Sequence, residues 1–309
     1  MDAATISLAH QVSDNALDWI GSVRSFFALD HDVPPWQIDG DGLKSLSELA
    51  LAVGLIRREA VTGPRGSDTA DALAEFAWRE FHEGDLLYTL QRHTPAATHP
   101  LEIYSFFAAG GHRHPDLEEL VAHLGATRAW RVPEQVPNRR LAVWAATRRV
   151  GLPENDDPRA LTALTWLGGR PEPWMLDANN AYGVTHTVFH LTDWGAEPER
   201  IPQELEDYLR KWLPVWVDVF DETRFWDLLA ELLIVGVCLR RPMFFPEVWE
   251  HLAEAQQADG MVPNGVTRPH EEPERAFANH HHPTLVAVIA ATLTVSRALS
   301  PAPAAPEPV

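Results

Sequence analysis

Apolar positions along the chain recur mainly at helical spacing, and no stretch shows the sustained alternation that marks strands. Helices are predicted to begin near Asn15, Gly42, Thr69, Glu83, Leu101, Asp116, Arg139, Arg159, Asn179, Pro202, Glu222, Pro246 and His282. Proline and glycine punctuate the intervals, as at Pro34-Pro35, Gly63-Pro64, Gly110-Gly111 and Pro171-Pro173. Thirteen helices with short connections make about six hairpins. One unit is repeated: Glu-Leu-Ala-Leu-Ala-Val-Gly-Leu-Ile-Arg-Arg at Glu48 to Arg58 is echoed by Glu-Leu-Leu-Ile-Val-Gly-Val-Cys-Leu-Arg-Arg at Glu231 to Arg241. Repetition of a supersecondary unit is the signature of solenoids and closed toroids.

A second sign of such a fold is Gln256-Gln257-Ala258-Asp259-Gly260, where Gly260 is available to cap the preceding helix. It resembles the Gln-x-x-Asp-Gly turns of α/α-toroid proteins, the fold of terpenoid cyclases and protein prenyltransferase β-subunits. The expected fold is therefore all-α, a single α/α toroid of about six hairpins over residues 1–299, with an open α-solenoid as the alternative. Residues 300–309, rich in proline and alanine, are expected to form a disordered tail.

The densest chemistry lies in Tyr182 to Gly195. At about 100° per residue, His186, His190 and Asp193 fall within about 60° on one face of a helix. Val184, Val188 and Leu191 make their surroundings apolar, so the polar groups need partners. A divalent metal satisfies two neutral imidazoles and a carboxylate together; a buried hydrogen-bonded network is the other reading. His282, in His280-His281-His282-Pro283, is placed by Pro283 at the start of the last helix, from where it can complete the site. Asp227 and Glu231 share a face four residues apart. Glu231 is a candidate general base or further ligand, although its counterpart Glu48 suggests a scaffold glutamate. His93, His99, His112 and His114 read as turn residues.

Composition narrows the function. At 309 residues the chain can bury a substantial core, and its formal charge of −19 argues against nucleic acid and anionic membranes as partners. No apolar run approaches a bilayer span, and Met-Asp-Ala-Ala-Thr-Ile lacks the features of a secretory signal, so a cytoplasmic location is expected. Cys238 is the only cysteine, which excludes an internal disulfide and a multi-cysteine zinc site. The 15 histidines raise the prospect of metal chemistry, and the 12 tryptophans read as core or pocket walls. Gly-rich phosphate loops, Gly-x-Ser-x-Gly and the acidic or cysteine motifs of toroidal cyclases and prenyltransferases are missing, so those activities do not transfer.

The chain up to about Ser296 also resembles an uncharacterised actinobacterial family found near natural-product biosynthesis genes. The likeness is carried by Leu46 to Ala50, Gly111 to Pro115, Arg170 to Trp174, Tyr182 to Gly195, Tyr208 to Val217, Trp226 to Leu233 and His282 to Val286. The resemblance brings no reaction with it. The leading expectation is a metal-dependent enzyme of bacterial specialised metabolism, a lyase, hydrolase or oxidase acting on a small molecule. His186, Asp193 and His282 would hold zinc or iron, or else copper, with His190 a further ligand or acid/base group. Glu231 would serve as base, and Tyr182 and Asp227 would orient ligands. The alternatives are a non-catalytic binding toroid and a metal-free acid/base enzyme using His186 and Asp193.

Overall fold

The computed structural model describes residues 1–132, 134–266 and 270–300; the tail expected at 300–309 lies outside them but for Ser300. Among the described residues the chain is all-α. Its helices are α1 (Ala3–Ser22), α2 (Gly40–Glu59), α3 (Pro64–Glu80), α4 (Asp85–His93), α5 (His99–Ala109), α6 (Pro115–Gly125), α7 (Arg128–Arg131) and α8 (Pro137–Val150). They continue with α9 (Pro158–Ala163), α10 (Trp166–Gly169), α11 (Ala178–Thr192), α12 (Gln203–Glu222), α13 (Trp226–Cys238), α14 (Pro246–Ala255) and α15 (Pro273–Leu299).

Local chemistry sets these starts. Proline stands in the first turn of α3, α5, α6, α8, α9, α14 and α15, where its missing N–H costs nothing. Aspartates cap α1, α2 and α11, with Asp177 accepting from the Asn180 N–H at the head of α11. Two expected boundaries move. The first helix begins at Ala3, not near Asn15, because Asp2 caps it by accepting from the Thr5 N–H. The last begins at Pro273 and runs through Pro283, so His282 lies inside a helix and not at its start. Pro283 removes the bond to the carbonyl of Asn279, while Thr284 Oγ1 donates to His280 O at 2.7 Å and the helix continues.

Six helices follow one another as neighbours in a closed order. α15 packs on α2, α2 on α5, α5 on α8, α8 on α11, α11 on α13, and α13 on α15. Five other helices pack against members of this cycle: α1 lies against α15, α3 against α2, α4 against α5, α9 against α8 and α12 against α13. Position in the cycle explains composition. Every residue of α13 is buried, as is α15 from Pro283 to Val295. By length and apolarity α15 is sufficient to cross a bilayer, contrary to the expectation from its apolar runs, which His280 to Pro283 interrupt; most of it is buried against α1, α2 and α13.

The Gln256 to Gly260 turn fastens the outer layer. Gln256, not Gly260, is the C-cap of α14, and its Nε2 donates to Val12 O at 3.0 Å and Gly260 O at 2.9 Å. Gly260 has φ 100°, and a Cβ there would stand 1.9 Å from Asn15 O. Only glycine lets this turn meet α1.

Candidate functional site

All six helices of the cycle contribute side chains to one cavity of about 620 Å³. α15 brings His282 to its wall, between the two helices that carry the repeated sequence. His282 Nδ1 lies 2.9 Å from Glu48 Oε2 on α2, and Nε2 lies 3.1 Å from Asp227 Oδ1 on α13. Burial alone would lower the His282 pKa, but the two carboxylates overcome it and raise it to about 10. The Nε2 contact is close enough for an ion pair but is not aligned as a hydrogen bond, so the buried Oδ1 of Asp227 is left without one. Its other oxygen accepts from Tyr182 Oη.

Glu231 stands one turn beyond Asp227, only 5% exposed, and accepts from Thr185 Oγ1. Burial raises its pKa above the usual carboxylate value, and neighbouring Asp227 adds to the rise. Burial also opposes charge on Asp227, yet His282 and Tyr182 hold its pKa below the ordinary value. Two carboxylates one helical turn apart are thus pushed in opposite directions, a division found where groups have different tasks. Asp227, Glu231 and His282 each offer a ligand atom within 4.8 Å of the others, and no second such trio of His, Cys, Asp or Glu exists among the described residues.

The expected trio of His186, Asp193 and His282 is therefore not the one that converges. Asp193 is the C-cap of α11, in left-handed conformation with φ 47°, which takes it off the helical progression that aligned it with His186. Its carboxylate accepts from Arg149 Nε at 2.6 Å. His186 lines the cavity with Nδ1 2.7 Å from the carbonyl of Tyr182 and 4.0 Å from Glu231 Oε2. Donation from Nδ1 to that carbonyl leaves the lone pair on Nε2. His190 is also in the wall, its ring 5.9 Å from that of His186, and burial lowers its pKa well below the ordinary value. Tyr182, pushed up by burial and by Asp227, keeps its proton and holds Asp227 in place.

Sequence reasoning set Glu48 aside as scaffold, although its match to Glu231 in the repeat was the signal that both face the same neighbour. It also treated His99 as a turn residue, whereas His99 opens α5 and lines the cavity. The reading holds for His114, which caps α6 by accepting from the Leu117 N–H, and for His93, which stacks on Trp36. Trp194 stacks on Phe189 at 4.3 Å and forms part of the cavity wall, while Trp226 is in the core.

No curated protein and no solved structure matches this chain. Residues 13–292 do match a family described as a domain of unknown function, and the chain belongs to that family, DUF6895.

Proposed function

We infer that this protein is a metal-dependent enzyme acting on a small molecule, and that its closed helix cycle is an α/α toroid with the reaction site in the central cavity. One observation carries the reading: Asp227, Glu231 and His282 offer ligand atoms within 4.8 Å of one another, and Glu231 and His282 line the cavity. Three carboxyl groups, counting Glu48, stand around one imidazole there. The donor set of two carboxylates and an imidazole suits zinc or non-haem iron. Glu48, on the far nitrogen of His282, would fix the ring, as carboxylates behind metal-bound imidazoles do. His186, with its free Nε2, is positioned as a further ligand or as an acid/base group. A bound metal would supply Lewis acidity or a water of lowered pKa. The place in bacterial natural-product biosynthesis is part of this proposal and is supported by sequence resemblance.

A metal-free acid/base enzyme is the second reading, favoured by the succession of contacts from Tyr182 to Asp227, His282 and Glu48 and by a Glu231 whose raised pKa suits proton transfer. Elemental analysis of untagged protein separates the two. About one zinc or iron per chain in the wild type, lost in Asp227→Asn and His282→Ala while both variants keep a cooperative melt, supports the metal reading. Wild-type protein that stays metal-free after reconstitution overturns it.

A further inference from the structure

Three polar atoms in residues of the cavity wall are left without partners among the described residues: the indole Nε1 of Trp194 and one atom each of Arg149 and Glu102. Arg149, on α8, donates through Nε to Asp193 Oδ1 at 2.6 Å and through Nη1 to Ser105 Oγ at 3.2 Å. Its Nη2 meets no acceptor, in a side chain only 9% exposed. Glu102, on the adjoining α5, accepts through Oε2 from Arg139 Nη1 at 2.8 Å, while its buried Oε1 accepts from nothing. Buried polar atoms are rarely left this way, and those of charged groups least of all.

The surrounding charges are already matched, Arg149 by Asp193 and Glu102 by Arg139. Among the charged groups, what is unmet is one guanidinium donor and one carboxylate acceptor on neighbouring helices, with no net charge between them. The complementary ligand is itself neutral overall and presents an acceptor beside a donor. A zwitterion does so with charge at both points. A phosphate brings charge that the pair does not neutralise, and a wholly apolar ligand leaves both atoms unpaired.

We propose that Arg149 and Glu102 receive the head group of an α-amino acid with an apolar side chain, the carboxylate on Arg149 Nη2 and the ammonium on Glu102 Oε1. The proposal rests on the reading of this cavity as a substrate site and names the substrate class. Ile103, Phe106, Phe189, Leu285 and Ile289 supply an apolar wall for the side chain in the cavity that Glu231 and His282 also line. A volume of about 620 Å³ is in the range of small-molecule sites and holds one such ligand with room for a second reactant.

Arg149 also lines a smaller cavity of about 320 Å³ with Arg57, Arg58 and His112. An anion there would be independent of Glu102, which does not line it, and this gives the test its discrimination.

The experiment is calorimetric titration of L-phenylalanine and L-leucine into protein stripped by a chelator and into protein reloaded with zinc. Saturable binding at millimolar concentrations or below is expected in at least one form. N-acetyl-L-phenylalanine, which lacks the ammonium, and phenethylamine, which lacks the carboxylate, should each bind at least about tenfold more weakly. Glu102→Gln should weaken L-phenylalanine at least about tenfold without loss of thermal stability, since Arg139 keeps an amide oxygen to donate to. Arg149→Lys, which retains a cation for Asp193 but no Nη2, should do the same.

Absence of saturable binding in both forms overturns the proposal. So does L-phenylalanine binding that Glu102→Gln leaves unchanged, or binding lost only on changing Arg149, which moves the anion to the smaller cavity. Binding to chelated protein that never takes up metal would leave this proposal standing while the metal-dependent reading falls.

Discussion

The two copies of the repeated segment carry the same glutamate into different surroundings. On α2, Glu48 is 19% exposed and has Lys44 Nζ 3.7 Å away. On α13, where every residue is buried, Glu231 is 5% exposed and its nearest polar partner is the hydroxyl of Thr185. One carboxylate pairs with His282 and lies near Lys44; burial holds the other above the ordinary carboxylate pKa. Burial of the host helix, not the identity of the side chain, assigns the two roles. The repeat thus places equivalent acids on both sides of α15, and their different burial makes them unequal.

Experiments can break that comparison at several points. The largest effect is expected at Asp227, one turn before the α13 copy, where α2 has Lys44 instead: Asp227→Asn should abolish metal uptake, read by elemental analysis and by loss of any metal-dependent rise in melting temperature. Truncation of the scaffold comes next. Ile234→Ala, in fully buried α13, should lower unfolding stability by about 2–5 kcal/mol, whereas Leu51→Ala at the matching, half-buried position of α2 should cost about 1 kcal/mol, both read by denaturant titration. Equal losses would mean that the two helices are equivalent in the core.

A smaller effect sharpens the assignment of Glu48. Because it holds the far nitrogen of His282, Glu48→Gln should weaken metal binding by about 10–100-fold without abolishing it. Complete loss would make Glu48 a ligand, and no change would return it to the scaffold.

The smallest effect lies outside both copies, at Glu197. Hydrogen bonding from Arg148, helped by Arg200 and opposed by burial, lowers its pKa to about 2. Its stabilising contribution is complete above the unfolded value of about 4.5 and is lost as pH falls from there toward about 2. Screening at this partly exposed site limits it to about 1 kcal/mol. Glu197→Gln should reduce stability at pH 7 by that amount and leave it unchanged near pH 2, in paired urea titrations.

Much of the fold was legible in sequence because its signals are local. Prolines at helix starts and apolar spacing placed most helices within a few residues, while α7 and α10, four residues each, are too short to show a period. The site was legible only where its geometry is also local. Asp227 and Glu231 share a face because they stay within one helix. Asp193 failed because the helix ends just before it, and a left-handed cap sends the side chain elsewhere. The convergence of Glu48, Asp227 and His282 depends on which helices become neighbours, and spacing along the chain holds no record of that.

The pairing of Glu48 with His282 joins residues 234 positions apart. During synthesis, α2 leaves the ribosome long before α15 exists, and for that interval the inner positions it presents have no partner on one flank. The last long helix supplies the missing wall of the cavity and an indispensable member of its polar cluster in one step. Assembly of the site is consequently a late event in the life of the chain, set by translation and by docking of a single helix. A nascent protein halted before His282 would possess most of its helices and none of the contacts that join Glu48 to Asp227.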